Sequence, residues 1–510
     1  MKRLFNNSLF TSIDYFILIV LNLLATPILI AHFGIEGYGA FVFLSIFSIY
    51  GALSFFDLGM EGSLMNFVAR FEVDGDKRKL QDTLSASLAY YSLLGLILGI
   101  ALYIFGDFIT IRLVDSGSAL NYNHVKTSLS IISINVFLQF LTVPFAAILQ
   151  GLRRFIITKS INSIMNIMRY LLIIIIAVYY HRIDYAFLII TILTVLRLII
   201  LLSIFVVRLP QFRRMRVRFN FSLLRTLFNY SSILFINRII GLISNQIDKV
   251  LIWLYLVVTN MAIYDVVSRP ANLLRLVLSI LNSAVVPEVA RLHHLNDLAA
   301  IRKMYINLIR YAYLIILPVL ALLGVYINDF LRLWVGNEFV PHSHLAIILL
   351  AVYAILPIPS VSSTVVVGLE KVKQTIWIAI VATVINIILS LTLLQYLGLA
   401  GLLIATLVAD LFCVLPYLFA MKRFLDFSIK QLATSLLPIA IISVLFLAAH
   451  TVQRLIFSDY AVILFLFAAV LFCGNCLVNY RYLLQDKEKL FLRERIKAAA
   501  NKIGKGASTK

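Results

Sequence analysis

The residues of this sequence best placed to do chemistry are charged side chains inside long apolar segments. Six basic residues stand there: Arg169, Arg197, Arg238, Lys249, Arg269 and Arg275. So do the acids Asp14, Asp57, Glu61, Asp248, Asp265 and Asp410. A charge in such a place costs on the order of 3 kcal/mol or more, so it faces the protein interior, pairs with another group, or serves a ligand or ion path. At about 100° per residue, Ser231, Arg238, Asn245 and Lys249 share a narrow helical stripe. Asp265, Ser268, Arg269, Asn272, Arg275, Ser279 and Ser283 share roughly a third of the next helix. Tyr50, Ser54, Asp57 and Glu61 share one face near the start of the chain.

Four cations (Arg238, Lys249, Arg269, Arg275) against two carboxylates (Asp248, Asp265) make a net positive lining. That suits an anionic group, and guanidinium is shaped to clamp phosphate. Asn245 and Asn272 add amides able to bond hydroxyls. The competing reading is that Asp248, Asp265 and the cations pair with one another and hold helices together. Asp57 and Glu61 are candidates for a coupling ion or a gate, Arg169, Arg197 and Asp410 for structural pairing. Pro27 and Pro270 are expected to bend their helices.

The elements that must position these groups follow from composition. Of 510 residues, 62% are hydrophobic and 13% charged, and mean hydropathy is +0.98. An apolar excess of this size belongs in a bilayer, not in one soluble core. Long runs without two-residue alternation exclude a barrel and leave helices. Fourteen segments are long enough: 10–32, 40–64, 84–105, 125–149, 155–180, 184–207, 228–257, 262–287, 305–327, 345–369, 373–396, 399–421, 431–450 and 460–480. With the N-terminus inside, 33 of the 44 Lys and Arg fall on the inner side and only Arg112, Lys126, Arg182, Arg332 and Arg454 outside. The positive-inside rule then puts both termini in the cytoplasm. The net charge of +20 is therefore topology, not a nucleic-acid surface.

The chain repeats. Asn66–Arg70 matches Pro287–Arg291, Gly151-Leu-Arg-Arg154 matches Gly368-Leu-Glu-Lys371, and Gly37-Tyr38-Gly39 matches Ile263-Tyr264-Asp265. Six spans per repeat is even, so both halves enter the membrane in the same direction. The expected fold is an all-α integral membrane protein of about fourteen helices. Two six-helix bundles (1–207 and 228–424) would be related by a pseudo-two-fold along the membrane normal. A basic linker (208–227) joins them, and two extra helices (425–482) and a basic cytoplasmic tail (483–510) follow.

No enzyme signature competes. Cys413, Cys473 and Cys476 lie in apolar segments and read as small hydrophobes. The eight histidines read as interfacial or solvated. There is no zinc spacing, phosphate-binding loop or nucleophile triad, so no cofactor or metal is expected and an ion gradient is left to drive any transport.

An ordered set of motifs carries a resemblance: Phe33-Gly34-Ile-Glu-Gly37-Tyr38-Gly39, Phe56-Asp57-Leu58-Gly59-Met60, Gln150-Gly151-Leu-Arg153-Arg154-Phe155, Asp248-Lys249-Val-Leu-Ile252 with Ile263-Tyr264, Pro287, and Leu331-Arg-Leu-Trp334-Val-Gly336. In these the chain resembles the Wzx-type polysaccharide flippases, which share a superfamily with MATE drug exporters and lipid II flippases. The resemblance implies transfer of an undecaprenyl-diphosphate-linked oligosaccharide from the inner to the outer leaflet of a bacterial inner membrane. It also implies a proton or sodium ion as coupling partner, surrounding membrane lipids, and a polysaccharide polymerase and chain-length regulator as neighbours. In such proteins the first two helices of each half line the cavity. Fourteen spans exceed the twelve usual for the family, and Asp57 and Glu61 add acid to the cavity stripe. A drug or metabolite antiporter is the alternative within transport. A membrane glycosyltransferase or polymerase is the alternative outside it, but the outer loops are short and poor in carboxylates.

Overall fold

In the computed structural model the described residues are 2–48, 51–114, 120–209, 225–227, 246–283, 285–456 and short pieces of 470–481. Arg238, Asn245, Cys473, Cys476, the basic linker from 210 to 224, nearly all of segment 460–480 and the tail lie outside them. Side chains are described from residue 17 onward, so that of Asp14 is outside as well.

The described residues are helical throughout. In chain order the helices are α1 (Lys2–Leu44), α2 (Met60–Val73), α3 (Lys77–Ile104), α4 (Gly106–Leu113), α5 (Tyr122–Gly151), α6 (Phe155–Tyr180), α7 (Ile183–Arg208) and α8 (246–255). Then come α9 (Val258–Ser283), α10 (Val285–His294), α11 (Leu298–Val335), α12 (Ser343–Ile355), α13 (Pro357–Gly368), α14 (Val372–Leu397), α15 (Leu399–Leu425) and α16 (Ile429–Ile456). Eleven helical stretches among the described residues are long and apolar enough to cross a membrane. The chain is a multi-pass membrane protein.

The segment 40–64 departs from the expected single span. Helix α1 breaks at Gly34, where φ 73 and ψ 169 lie outside the helical region. Its second piece ends at Leu44, a 3₁₀ turn occupies Ala52–Asp57, and Leu58 (φ 51) and Gly59 (φ 76) are left-handed before α2 starts. Hydropathy registers only that these residues are apolar; the left-handed turn at Leu58 and Gly59 is conformational and leaves it unchanged. His450 is a second departure. Expected at an interface, it is fully buried, its Nδ1 3.4 Å from the Tyr326 hydroxyl.

Contacts divide the chain into two compact units. The first comprises Met1–Arg269 with Ala379–Ala409, the second Pro270–Ile378 with Asp410–Lys510. In the first unit α5 packs against α2, α3 and α7, and α1 against α6. Gly95 and Gly99 on α3 lie against the α5 backbone at Phe137 and Ser133. This is the small-residue spacing by which membrane helices approach closely. In the second unit α11 packs against α12, α13 and α16, and α10 against α13.

Two of the three matched motif pairs meet in a similar way, each within its own unit. Gly151 meets α2: a Cβ there would sit 2.7 Å from Val68 Cγ1 and 2.8 Å from the Met65 carbonyl oxygen. Gly368 meets α10: its Cβ would sit 2.6 Å from Val289 Cβ and 3.1 Å from the Val286 carbonyl oxygen. Both helices end on the same cap, with Arg153 and Glu370 each at φ 58. The Arg154 N–H then reaches back to the Leu149 oxygen at 2.8 Å, and the Lys371 N–H to the Val366 oxygen at 3.1 Å. Asp76 and Asp297 cap α3 and α11, the helices that follow α2 and α10, each accepting a backbone N–H at 2.9 Å. The cap hydrogen bond from Lys79 holds the Asp76 carboxyl below its ordinary range.

Gly151→Ala and Gly368→Ala are each expected to destabilise the protein by about 1–3 kcal/mol through overpacking. Gly324→Ala, where nothing lies within 4 Å of the new Cβ, should not. Thermal unfolding in detergent checks all three; an unchanged midpoint for both overpacked variants would remove the contact from the account.

Candidate functional site

The break at Gly34 has a structural consequence. It redirects the second piece of α1 so that its Gly37-Tyr38-Gly39 run lies against the start of α9. A Cβ on Gly39 would come 2.3 Å from the Val258 carbonyl oxygen, so only glycine permits the approach. Tyr38 between the glycines is fully buried. On α9, Asp265 and Arg269 are one helical turn apart and face the same way.

These pieces form one network in the first unit. The Tyr38 hydroxyl donates to Asp265 Oδ2 at 2.5 Å. Arg269 donates to the same oxygen from Nε at 2.8 Å and Nη2 at 2.6 Å. Its Nη2 also reaches the Tyr38 oxygen at 2.7 Å. Its Nη1 donates to the Asn22 backbone oxygen at 3.0 Å and contacts the Asn22 side-chain oxygen. The Arg269 side chain is 14% exposed and that of Asp265 16%. The charge of Lys249 acts on Asp265 from α8, and Asp248 accepts the Tyr264 hydroxyl at 2.9 Å. A cation and its carboxylate are thus held out of water with their hydrogen bonds made, the condition under which a buried pair is tolerated.

Asp57 forms a second cluster in the same unit. It is 1% exposed, at the end of the 3₁₀ turn, and accepts the Tyr91 hydroxyl in a very short contact. The Tyr90 hydroxyl donates to the Phe56 oxygen at 3.1 Å. Glu61 opens α2 one turn beyond Asp57, half-buried, and its charge also reaches Tyr91.

Asn272 and Arg275 follow Pro270 and belong to the second unit. Both are exposed. The Tyr353 hydroxyl donates to Asn272 Oδ1 at 3.2 Å, Arg275 hydrogen-bonds Tyr353, and Arg275 and Asp410 interact by charge. Asn22, Tyr38, Tyr91 and Tyr353 were not among the site residues expected from the sequence. Tyr38 had a signal in its two flanking glycines; Asn22 and Tyr353 had none, because their partners are distant in the chain.

The family described as "Polysaccharide biosynthesis protein" matches residues 75–344, more than half of the chain. The chain belongs to the polysaccharide biosynthesis protein family. The matched region includes Asp248, Lys249, Asp265, Arg269, Asn272 and Arg275, while Tyr38, Asp57 and Glu61 precede it. A probable low-salt glycan biosynthesis flippase, Agl15, from Haloferax volcanii is 22% identical over 182 residues, covering 36% of this chain. That match spans 39% of the relative's length. Among solved structures, the lipid II flippase MurJ in an inward closed conformation superposes with a TM-score of 0.70 at 19% identity, covering 94% of this chain and all of MurJ. An inward-facing multidrug resistance MATE transporter of the MOP superfamily gives 0.65 at 15% identity, covering 82% of this chain and 96% of that one. This member of the polysaccharide biosynthesis protein family therefore has the fold of the MurJ and MATE transporters.

Arg269→Ala leaves a buried carboxylate facing a tyrosine and is expected to destabilise by about 3–5 kcal/mol. Asp265→Asn with Arg269→Gln should cost less than the two single changes together. A double-mutant cycle on thermal midpoints in detergent measures this; additive costs would mean that the two side chains are not coupled.

Proposed function

We propose that this protein is a flippase in cell-surface polysaccharide biosynthesis. It moves an undecaprenyl-diphosphate-linked oligosaccharide from the cytoplasmic to the outer leaflet of a bacterial inner membrane by alternating access, driven by a proton or sodium gradient. The family and the MurJ-like fold support transport of a lipid-linked glycan. The observation that carries the reading is the arginine held inside the membrane by Asp265, Tyr38 and Asn22.

Arg269 is stored, not lost. All of its donors are engaged, so the guanidinium rests in the bilayer at low cost. A diphosphate offers more negative charge than one carboxylate and matches the planar fork of Arg. When it arrives, Arg269 turns to the phosphate oxygens, while Asp265 keeps the Tyr38 hydroxyl and the neighbouring charge of Lys249. Losing the Arg269 bonds to Asn22 and Tyr38 leaves Tyr38–Asp265 as the remaining hydrogen bond of this network from α1 to α9, so headgroup binding loosens the two helices. In this reading Arg238, Asn245, Lys249, Asn272 and Arg275 are further substrate-binding residues. Asp248 and Glu61 act at the gate. Asp57 binds the coupling ion: protonation of its carboxylate changes what it accepts from Tyr91, at the point where two left-handed residues make the backbone turn.

In reconstituted vesicles, Arg269→Ala is expected to lower transfer of a fluorescent polyprenyl-diphosphate sugar by roughly tenfold or more, the loss of a charge-assisted hydrogen bond. Arg269→Lys should keep the fold but recover transfer only in part. Full transfer by the alanine variant at matched protein levels would defeat the assignment. Asp57→Asn should abolish the response to an imposed gradient while leaving substrate binding intact. A full gradient response would make Asp57 structural.

A further inference from the structure

A groove of about 610 Å³ opens on the second unit between the first turns of α14 and the later part of α15. Its body is lined by Trp377, Ile378, Leu411, Leu415 and Phe419. Trp377, Leu411, Leu415 and Phe419 are all exposed, so these walls are helix faces turned to the surrounding bilayer. Pro416 lies on the wall inside α15, where it withholds a backbone N–H and its ring loosens the helix turn. One end differs. Besides the Trp377 indole N–H, Gln374 and Arg423 are the polar groups of the lining, and both stand at the end where α14 begins and α15 finishes. Arg423 is exposed there, as are Lys373 and Lys422. Lys371 sits 4.4 Å from the centre of the Phe424 ring, which forms the floor at that end. Arg423 lines the mouth and Lys371 packs on its Phe424, while Lys373 and Lys422, with the acids Glu370 and Asp426, neighbour these residues in the chain. The positive-inside reading places this mouth at the cytoplasmic face.

We propose that the groove is a binding site for an anionic phospholipid of the cytoplasmic leaflet, with one acyl chain along the Trp377–Phe419 body and the phosphate at Arg423. Two independent features select this occupant. Apart from the Trp377 indole N–H, the body has no hydrogen-bonding side chain beyond its mouth, so it takes hydrocarbon. The mouth has excess positive charge at headgroup depth, as do basic pockets between membrane helices that hold anionic headgroups. The groove is built within the second unit alone, whereas the Arg269 network belongs to the first. The bound lipid would brace α14 against α15 where Pro416 weakens the contact. This site is separate from the proposed transport site and does not depend on it.

Photoactivatable phosphatidylglycerol and phosphatidylcholine, each carrying a diazirine on the acyl chain, test the proposal on the full chain in phosphatidylcholine nanodiscs. The phosphatidylglycerol probe is expected to label peptides within 372–378 and 411–424. Arg423→Ala should lower that labelling roughly fivefold, equivalent to about 1 kcal/mol for one basic residue at an anionic lipid. Arg423→Lys should retain most of it. Leu415→Trp, which fills the body, should remove labelling while the protein stays monodisperse. Equal labelling by the two lipids would overturn the proposal. So would labelling insensitive to both Arg423→Ala and Leu415→Trp. Displacement by a polyprenyl diphosphate but not by excess phosphatidylglycerol would assign the groove to a transport substrate instead. Labelling that emerges only after residues 483–510 are removed would assign it to the chain's own tail.

Discussion

A bilayer offers no water, so every polar group carried into it must bring or find its partner. The ion pair of Arg269 and Asp265 is where this constraint bears hardest on the protein. A guanidinium needs several acceptors, and one turn of its own helix supplies only Asp265. The rest come from α1, at Tyr38 and Asn22, 231 and 247 residues away in the chain. The break at Gly34 and the glycines beside Tyr38 are what bring those acceptors within reach. The irregular start of the chain is therefore a consequence of having a charge to satisfy in α9.

In the proposed function the same network keeps a cation where lipid should be and leaves it able to meet a ligand. A buried pair with every bond made is stable, yet each of its bonds is polar and can be exchanged for a stronger one. Apolar packing between α1 and α9 would hold the helices equally well but would give a headgroup nothing to compete for. Asp57 follows a related logic at another break. Its carboxylate is buried against the Tyr91 hydroxyl, immediately before the left-handed Leu58 and Gly59. The cap shared by Arg153 and Glu370, and the glycine contacts behind it, form the rigid counterpart.

Much of the helical layout was legible. Segments such as 125–149, 155–180 and 184–207 are found close to their expected limits as α5, α6 and α7, because a run of about twenty apolar residues has one solution in lipid. The segment 40–64 was misread as one helix, since hydropathy averages over Leu58 and Gly59 without registering their left-handed backbone angles. Of the candidate site, Asp265 and Arg269 were legible as neighbours on one face. Their commitment to each other was visible only as one of two readings. Asn272 and Arg275 share that face by periodicity, yet they meet Tyr353 and Asp410 beyond Pro270.

The sequence by itself determined the class of the protein, its asymmetry of basic loops and the doubled order of its motifs. These follow from composition and from periodicity, which are properties of neighbouring residues. Only the tertiary structure decided which buried charges are paired. Asp265 is fixed by its place on α9, but whether Arg269 stands free or is held depends on a tyrosine and an asparagine more than two hundred residues earlier. No local pattern encodes that approach. It arises from the packing of α1 on α9, made close by glycine and made necessary by the cost of an unsatisfied charge in lipid.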